Sequence, residues 1–134
     1  MFRWILFLLW GSLLLASVAG AETETSHPTG VWGLPAACER YEAGLEPRPE
    51  TFWYEIGDQW MERFLFVCFF GAAPPQQIAP DRWLTLMTCG EDGMRSWYVT
   101  LVEEPDDGLS LIWQLPGDDD SYRVGPLQAC ALSE

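Results

Sequence analysis

Two cysteines near opposite ends of the chain place the strongest constraint on its fold. Cys38 follows the short segment Gly30–Gly33, which contains a tryptophan, and Cys130 lies just before the C-terminus. A disulfide between these two residues joins the first short strand to the last. Such a bond suits a sheet that closes on itself, and the sequence between the two cysteines has the alternating pattern of strands.

Residues 1–21 have the pattern of a secretory signal peptide. Arg3 supplies the positive charge, an apolar run follows, and Ala19–Ala21 is a cleavage site of the small-x-small type. An uncleaved membrane anchor is the alternative, but it needs about 20 apolar residues. The run here is shorter and is broken by Gly11 and Ser12. We therefore predict a periplasmic or secreted protein with no membrane association after cleavage.

The rest of the chain divides into two parts. Residues 22–29 are polar and predict a flexible lead-in, and residues 30–134 have the length of one domain. No internal repeat or second domain is visible. A domain of this size buries a modest core, so covalent cross-links contribute much of its stability.

An even number of cysteines in an exported chain of this length predicts two disulfides. The four cysteines are Cys38, Cys68, Cys89 and Cys130, and their spacing contains no C-x-x-C pair and resembles no zinc site. Three connectivities are possible. We favour Cys38–Cys130 with Cys68–Cys89, because these bonds nest without crossing and join strands that we expect to be neighbours.

Short apolar segments separated by Gly, Pro and Asp predict an all-β fold. About seven or eight strands arise at regular spacing, which is typical of a small antiparallel up-and-down barrel or a flattened sandwich. After the first strand at Gly30, the predicted strands are Thr51–Ile56, Gln59–Phe70, Trp83–Cys89, Arg95–Val102, Leu109–Leu115 and Ser121–Cys130.

Some segments are less regular. Apolar residues on both faces of the second half of Gln59–Phe70 predict a strand buried on both sides or one that lines a closed barrel, with a buried helix as the alternative. The prolines of Gly71–Asp81 predict a loop, and those after Glu39–Glu42 limit a helix there to one turn. Because Pro126 cannot donate to a ladder, the last strand is an edge strand or contains a bulge at Gly125–Pro126.

The charge of the chain excludes several classes of partner. The sequence has 20 acidic and 7 basic residues, a net charge of −13 at pH 7, and all the basic residues are arginine. Nucleic acids and anionic membrane surfaces would be repelled. A basic protein or a cation remains compatible, as does the simpler explanation that the charge maintains solubility. We expect a monomer.

The segment Gly30-Val31-Trp32 resembles the start of calycin-type barrels, which open with a Gly-x-Trp strand. The chain is more similar to the small periplasmic inhibitors of bacterial metalloproteases, in which a cysteine follows the early tryptophan strand, here Trp32 and Cys38. This resemblance implies a barrel and an inhibitor that inserts its N-terminal segment into the protease cleft. Residues 22–27 would occupy that position here. The four cysteines, instead of one bridge, depart from the pattern.

Catalytic residues are hard to assemble from this sequence. The only histidine, His27, precedes the predicted folded part, and bonded cysteines offer no thiol nucleophile. The clusters Glu103–Asp107 and Asp118–Asp120 are rich in oxygen, which suits calcium, but they lack the ligand spacing of a calcium loop. We read them as solvated turns and predict no enzyme activity, no cofactor and no metal site.

The tryptophans are the remaining candidates for a site. Spread one per strand, they first predict core and rim positions of a barrel, and alternatively a cavity for an apolar ligand or an exposed partner surface. The candidates are Trp53, Trp60, Trp83, Trp97 and Trp113. The sequence thus favours a protein-interaction module, with protease inhibition as one form and a carrier of a small apolar ligand as the alternative. It identifies neither the ligand nor the partner.

Overall fold

Eight antiparallel strands close into a barrel, and one further strand extends it. The computed structural model describes residues 25–71, 73–90 and 94–131, so the predicted signal peptide, residues 22–24 and residues 91–93 of a predicted turn lie outside the described residues. The elements are β1 (Gly30–Gly33), α1 (Pro35–Glu42), β2 (Tyr54–Ile56), β3 (Trp60–Arg63), β4 (Phe66–Phe70), β5 (Gln76–Ala79), β6 (Arg82–Gly90), β7 (Arg95–Glu104), a 3-10 turn (Pro105–Asp107), β8 (Gly108–Gln114) and β9 (Ser121–Ala129). The predicted all-β barrel is confirmed.

The strands follow one another around the barrel in chain order, with one exception. β4 pairs with the second half of β6, while β5 pairs with the first half of β6 on the same side. The circle closes between β1 and β9, where Trp32 lies opposite Ala129 and Gly33 opposite Gln128. Two seams, β4–β6 and β1–β9, therefore join strands that are not consecutive in the sequence.

Each of these seams carries a disulfide. Cys68 and Cys89 are directly opposite on β4 and β6 and are bonded to each other. Cys38, on α1, is bonded to Cys130 immediately after β9. The predicted connectivity is confirmed, and two disulfides indicate an oxidising compartment.

The helix is longer than the prolines suggested. α1 begins at Pro35 and ends at Glu42, so it includes the predicted turn Glu39–Glu42 and one more turn before it. Pro35 occupies the first helical position, where its missing N–H costs nothing. The prolines that we expected to limit the helix come after its end and do not affect its start. Ala37 and Cys38 are the residues that this helix buries.

The predicted long strand Gln59–Phe70 is wrong, because it is a hairpin. β3 and β4 are joined by a two-residue turn, Phe64-Leu65, in which Leu65 adopts a φ of 56°. Neither turn residue is Gly, Asn or Asp, which are the usual signals for positive φ. The hairpin places Met61 opposite Cys68, and both side chains are buried in the barrel. The outward side chains of β4 are not buried, and Phe69 is exposed.

Two further predictions concern prolines. The segment Gly71–Asp81 is not wholly a loop, because it contains the edge strand β5, and its prolines flank the strand rather than interrupt it. The predicted bulge at Gly125–Pro126 is present. The register passes from Leu109 opposite Leu127 to Leu111 opposite Val124, so β9 has one residue more than β8 there.

The barrel interior is filled by side chains that alternate along each strand. The largest of those with no more than 2% exposure are Trp83, Trp113, Met61, Met87, Leu101, Leu109, Leu111 and Val99. Inward residues of β6, β7 and β8 supply most of them, as the predicted alternation requires. The interior is therefore a packed core.

Among the described residues, no helix is long and apolar enough to cross a membrane.

The packed core makes a direct prediction for two methionines. Met87 has 0% exposure and Met94 has 69%. We expect Met87→Ala to lower the free energy of unfolding by about 2–5 kcal/mol, because it leaves a cavity. The matched change Met94→Ala should stay within about 0.5 kcal/mol. Urea unfolding of the two variants measures both values, and equal effects would contradict a filled interior.

The two disulfides lead to a second prediction, which concerns how much each bond stabilises the fold. Cys38–Cys130 closes a separation of 92 residues and Cys68–Cys89 one of 21. In the chain-entropy estimate, the double variant C38A/C130A loses about 4–5 kcal/mol and C68A/C89A about 3 kcal/mol. Urea unfolding of both variants, compared with the oxidised parent, tests this order. A smaller loss for C38A/C130A would show that the β1–β9 seam does not depend on its bond.

Candidate functional site

The five candidate tryptophans do not form one site. Trp83 and Trp113 belong to the packed core, with 1% and 2% exposure. Trp53 is half-buried and lies edge-on to Tyr41 of α1, with the ring centroids 5.2 Å apart. Trp60 is exposed on the outer surface of the barrel. Trp97 is half-buried beside Trp113, so only these last two candidates are in contact.

Trp97 and Trp113 belong to an aromatic cluster at one end of the barrel. This is the end where β3 and β8 finish and where β4, β7 and β9 begin. Trp113 stacks on Tyr122 with centroids 6.2 Å apart and nearly parallel rings. Trp97 meets both of these rings edge-on, at 5.8 Å and 6.0 Å. Phe66 lies edge-on to Trp113 at 6.5 Å.

A single arginine lies inside this cluster. Arg63 is the last residue of β3 and alternates with the outward Glu62, so its side chain points to the same side as the buried Met61. Its guanidinium carbon lies 4.6 Å from the centroid of the Phe66 ring and 5.4 Å from that of Phe52. These distances are those of cation–π contacts. We call the group formed by Arg63, Phe52, Tyr54, Phe66, Trp97, Trp113 and Tyr122 the arginine–aromatic mouth.

Two donors of the mouth have no acceptor. The Nε atom of Arg63 and the Nε1 atom of Trp113 are buried, and neither has a hydrogen-bond partner among the described residues. Both groups can only donate. The ion pairs of the described residues are Arg82–Asp81 and Arg123–Glu104, so none of their carboxylates pairs with Arg63.

The pKa values of two tyrosines in the mouth depend on burial and on the nearby Arg63. Burial raises the pKa of Tyr54 above its ordinary value of 10.0, and the nearby charge of Arg63 opposes this rise. Burial likewise raises the pKa of Tyr122, again against the effect of Arg63. Both phenols are therefore neutral at physiological pH.

A second feature lies on the outside of the barrel. Six large apolar side chains point outward from β3, β4, β5, β6 and β7, and we call them the outer apolar face; they are Trp60, Phe69, Ile78, Leu84, Leu86 and Tyr98. The register makes five of them contiguous, while Ile78 lies at an irregularity in the pairing of β5 with β6. Trp60 lies opposite Phe69 and Leu86 opposite Tyr98, and Phe69 and Leu86 are diagonal neighbours.

The outer apolar face is not flat. At its edge is a cleft of about 510 Å³, whose walls include Trp60, Phe69 and Pro74. The indole of Trp60 lies over Gly57, where a Cβ atom would come within 2.6 Å of the ring. Gly57 therefore lets the exposed tryptophan lie against the barrel.

The N-terminal segment is packed on the opposite end of the barrel from the mouth. Sequence reasoning set His27 before the folded part, but its ring is buried, its Nε2 lies 2.9 Å from the carbonyl oxygen of Gly57, and it meets Phe70 edge-on. The indole N–H of Trp83 donates to the carbonyl oxygen of Thr25 at 2.9 Å. His27 therefore belongs to the folded body, where it contacts the Gly57 carbonyl oxygen and the Phe70 ring.

The acidic turns are tied down by local contacts. Glu104 of β7 forms an ion pair with Arg123 of β9, the second strand along the barrel. The backbone N–H of Asp120 donates to the carboxylate of Asp118 at 3.0 Å. In the described ranges, no group of three or more His, Cys, Asp or Glu side chains is arranged to hold a metal ion.

Sequence reasoning missed both Arg63 and the outer apolar face. The inward position of Arg63 follows from its place two residues after Met61, but the sequence does not show which face of β3 is buried. The outward residues of β6, Leu84 and Leu86, alternate with Thr85 and Met87 and were indistinguishable from core residues by pattern alone. Only the register of the closed barrel identifies them.

The chain matches no protein-family model, no curated protein and no solved structure. The resemblance to calycin-type barrels and to periplasmic protease inhibitors therefore stays a prediction.

The arginine–aromatic mouth leads to a prediction about the titration of its tyrosines at alkaline pH and about the effect of Arg63 on it. Because the folded state raises the pKa of Tyr54, it holds the phenolic proton longer than the unfolded chain does. The free energy of unfolding therefore falls as the pH rises above 10, and Tyr54→Phe should remove part of this fall. Replacing the arginine in Arg63→Met should raise the tyrosine pKa values further, as measured by tyrosinate absorbance. Arg82→Met, which changes an exposed arginine, is the control, and equal titration curves for both variants would contradict the described placement of Arg63.

Proposed function

We propose that this chain is an exported, non-enzymatic module that binds a protein partner through its outer apolar face. The observation that carries the proposal is the combination of a filled interior with a contiguous apolar surface outside it. Phe69 and Leu86, at the centre of the face, are 55% and 43% exposed. Contiguous exposed apolar patches on monomers are often protein-binding sites.

The composition of the face suits an interface. Its core contains aromatic and aliphatic side chains. Two acidic residues lie beside it: Asp58 lines the cleft next to Trp60, and Glu62 lies on the same side of β3 as Trp60. Aromatic residues are enriched and charged residues depleted at the centre of protein interfaces. The cleft beside Trp60 and Phe69 offers a place for one projecting side chain of the partner.

Charge identifies the kind of partner. The chain carries a net charge of −13, so a partner with an apolar patch surrounded by Lys and Arg is attracted and an acidic one repelled. The two disulfides favour the same exported compartment as the predicted signal peptide.

Two narrower alternatives have less support. A carrier of an apolar ligand needs a cavity lined by several tryptophans, whereas Trp83 and Trp113 are closed off by neighbouring side chains. An inhibitor that inserts its N-terminal arm must release Thr25 and His27 from their contacts with Trp83 and Gly57. A protease remains one possible class of partner for the outer apolar face itself.

The test compares two leucines of similar exposure. Leu86 belongs to the face, while Leu45 follows α1 and is 51% exposed. The tagged parent and each variant are expressed in the native host, purified gently and assayed for a stoichiometric co-purifying polypeptide. We expect Leu86→Asp to lose this polypeptide, since a carboxylate buried in an apolar interface costs about 2 kcal/mol or more. Leu45→Asp should retain it.

Two results would overturn the proposal. One is a parent protein that carries no polypeptide in its own host. The other is a complex that Leu86→Asp and Leu45→Asp weaken equally, with both variants shown by circular dichroism to be folded.

A further inference from the structure

We propose that the cleft at the edge of the outer apolar face binds an arginine side chain of the protein partner. We call it the Trp60 cleft; it is lined by Asp58, Gln59, Trp60, Phe69, Phe70, Gly71, Ala73 and Pro74. It lies where β3 begins, at the end of the barrel away from the arginine–aromatic mouth. The assignment rests on the proposed function, because this cleft adjoins the face through which the partner binds.

Aromatic rings form part of the wall of the Trp60 cleft. Trp60 and Phe69 lie directly opposite each other on β3 and β4, and both side chains line the cleft of about 510 Å³. They are 37% and 55% exposed, so a partner can reach both of them. The planar guanidinium of an arginine stacks on aromatic rings, and an indole attracts a cation most strongly. These walls therefore suit a side chain that is both flat and cationic.

A carboxylate lies beside these rings. Asp58 is exposed and is the only charged residue among the described residues that line the cleft. The ion pairs of the described residues are Arg82–Asp81 and Arg123–Glu104, so none of their arginines pairs with Asp58. A carboxylate accepts two parallel hydrogen bonds from one guanidinium, an arrangement that a lysine ammonium does not match. Asp58 thus supplies the counter-charge for an arginine of the partner.

The surrounding charge favours a cation over an anion in the cleft. Glu62 is exposed and lies on the same side of β3 as Trp60, and the whole chain has a net charge of −13. A carboxylate of a partner would be repelled at this position, whereas a guanidinium is attracted.

Hydrogen bonds fix the turn between β2 and β3, which supplies the carboxylate. The N–H of Gly57 donates to the carbonyl oxygen of Trp60 at 2.8 Å. The N–H of Phe70 donates to the carbonyl oxygen of Gln59 at 3.0 Å. The carbonyl oxygen of Gly57 lies 2.9 Å from Nε2 of the buried His27. A site held in this way has less freedom to lose on binding, so the turn is preorganised for its ligand.

A pair of capped tripeptides tests the cleft in the unmodified protein. Acetyl-Leu-Arg-Leu-amide is compared with the same peptide carrying citrulline, which has nearly the shape of arginine but no charge. Two-dimensional NMR follows the indole N–H of Trp60 and the backbone N–H of Gly71. We expect the arginine peptide to shift both resonances saturably and to bind about tenfold more tightly than the citrulline peptide. This is the combined effect of one exposed cation–π contact and one exposed ion pair. Equal affinities, or no saturable shift with either peptide, would overturn the assignment.

Variants assign the preference to the two groups. Asp58→Asn keeps the size of the side chain and removes its charge, so the preference for arginine should fall to about threefold, the share of the cation–π contact. Asp119→Asn removes the same charge from an exposed turn at the mouth end of the barrel and should retain the full preference. Trp60→Leu, followed through Gly71 alone, should likewise lose about threefold. An unchanged preference in folded Asp58→Asn would contradict the site.

The co-purifying polypeptide separates this assignment from the proposed function. If Asp58→Asn binds the isolated polypeptide about tenfold more weakly than Asp119→Asn does, both are supported. If Leu86→Asp loses the polypeptide while Asp58→Asn binds it as tightly as Asp119→Asn, the outer apolar face stands and the arginine site is overturned. If the parent carries no polypeptide, the proposed function fails, and the tripeptide pair alone decides whether the cleft selects arginine.

Discussion

Closure of the sheet between its first and last strands is the constraint on which the rest of the structure depends. β1 is short and shares only two register pairs with β9, so hydrogen bonding alone gives this seam little strength. The Cys38–Cys130 bond ties α1, which follows β1 directly, to the end of β9. The other seam between non-consecutive strands, β4–β6, has the Cys68–Cys89 bond in its centre. Covalent bonds thus reinforce the two seams between strands that are not consecutive in the chain.

A barrel closed in this way has little internal space. Large inward side chains from β6, β7 and β8, including Trp83, Met87 and Trp113, occupy it. The outer apolar face and the arginine–aromatic mouth accordingly lie at its outer surface and at one of its ends. The outer apolar face uses the outward side of β3 to β7, and two of these strands, β6 and β7, also supply much of the core. The arginine–aromatic mouth uses the end where the interior stops being purely apolar. The two features differ in chemistry, since one is apolar and exposed and the other holds a positive charge among aromatic rings.

The sequence predicts the architecture well and the site poorly. Alternation, turn residues and cysteine spacing identify the barrel, the disulfide pairs and the bulge at Gly125–Pro126, because these depend on local chemistry. The hairpin at Leu65 was missed because its turn, Phe64-Leu65, contains no typical turn residue. The positive φ of Leu65 accompanies the pairing of β3 with β4. The burial of His27 was missed because a segment without regular structure leaves no periodicity. Arg63 was missed because the inward position of this half-buried side chain is visible only once the register is known.

Native mass spectrometry of the protein purified gently from its own host tests the central claim most directly. If the barrel is a filled module that acts through its surface, the intact spectrum shows the mature chain, four hydrogens lighter for its two disulfides, bound to a second polypeptide. Denaturation should release this polypeptide, and no large apolar molecule should be released with it. A spectrum in which the chain instead retains a large apolar ligand and no polypeptide would contradict both the filled interior and the proposed function.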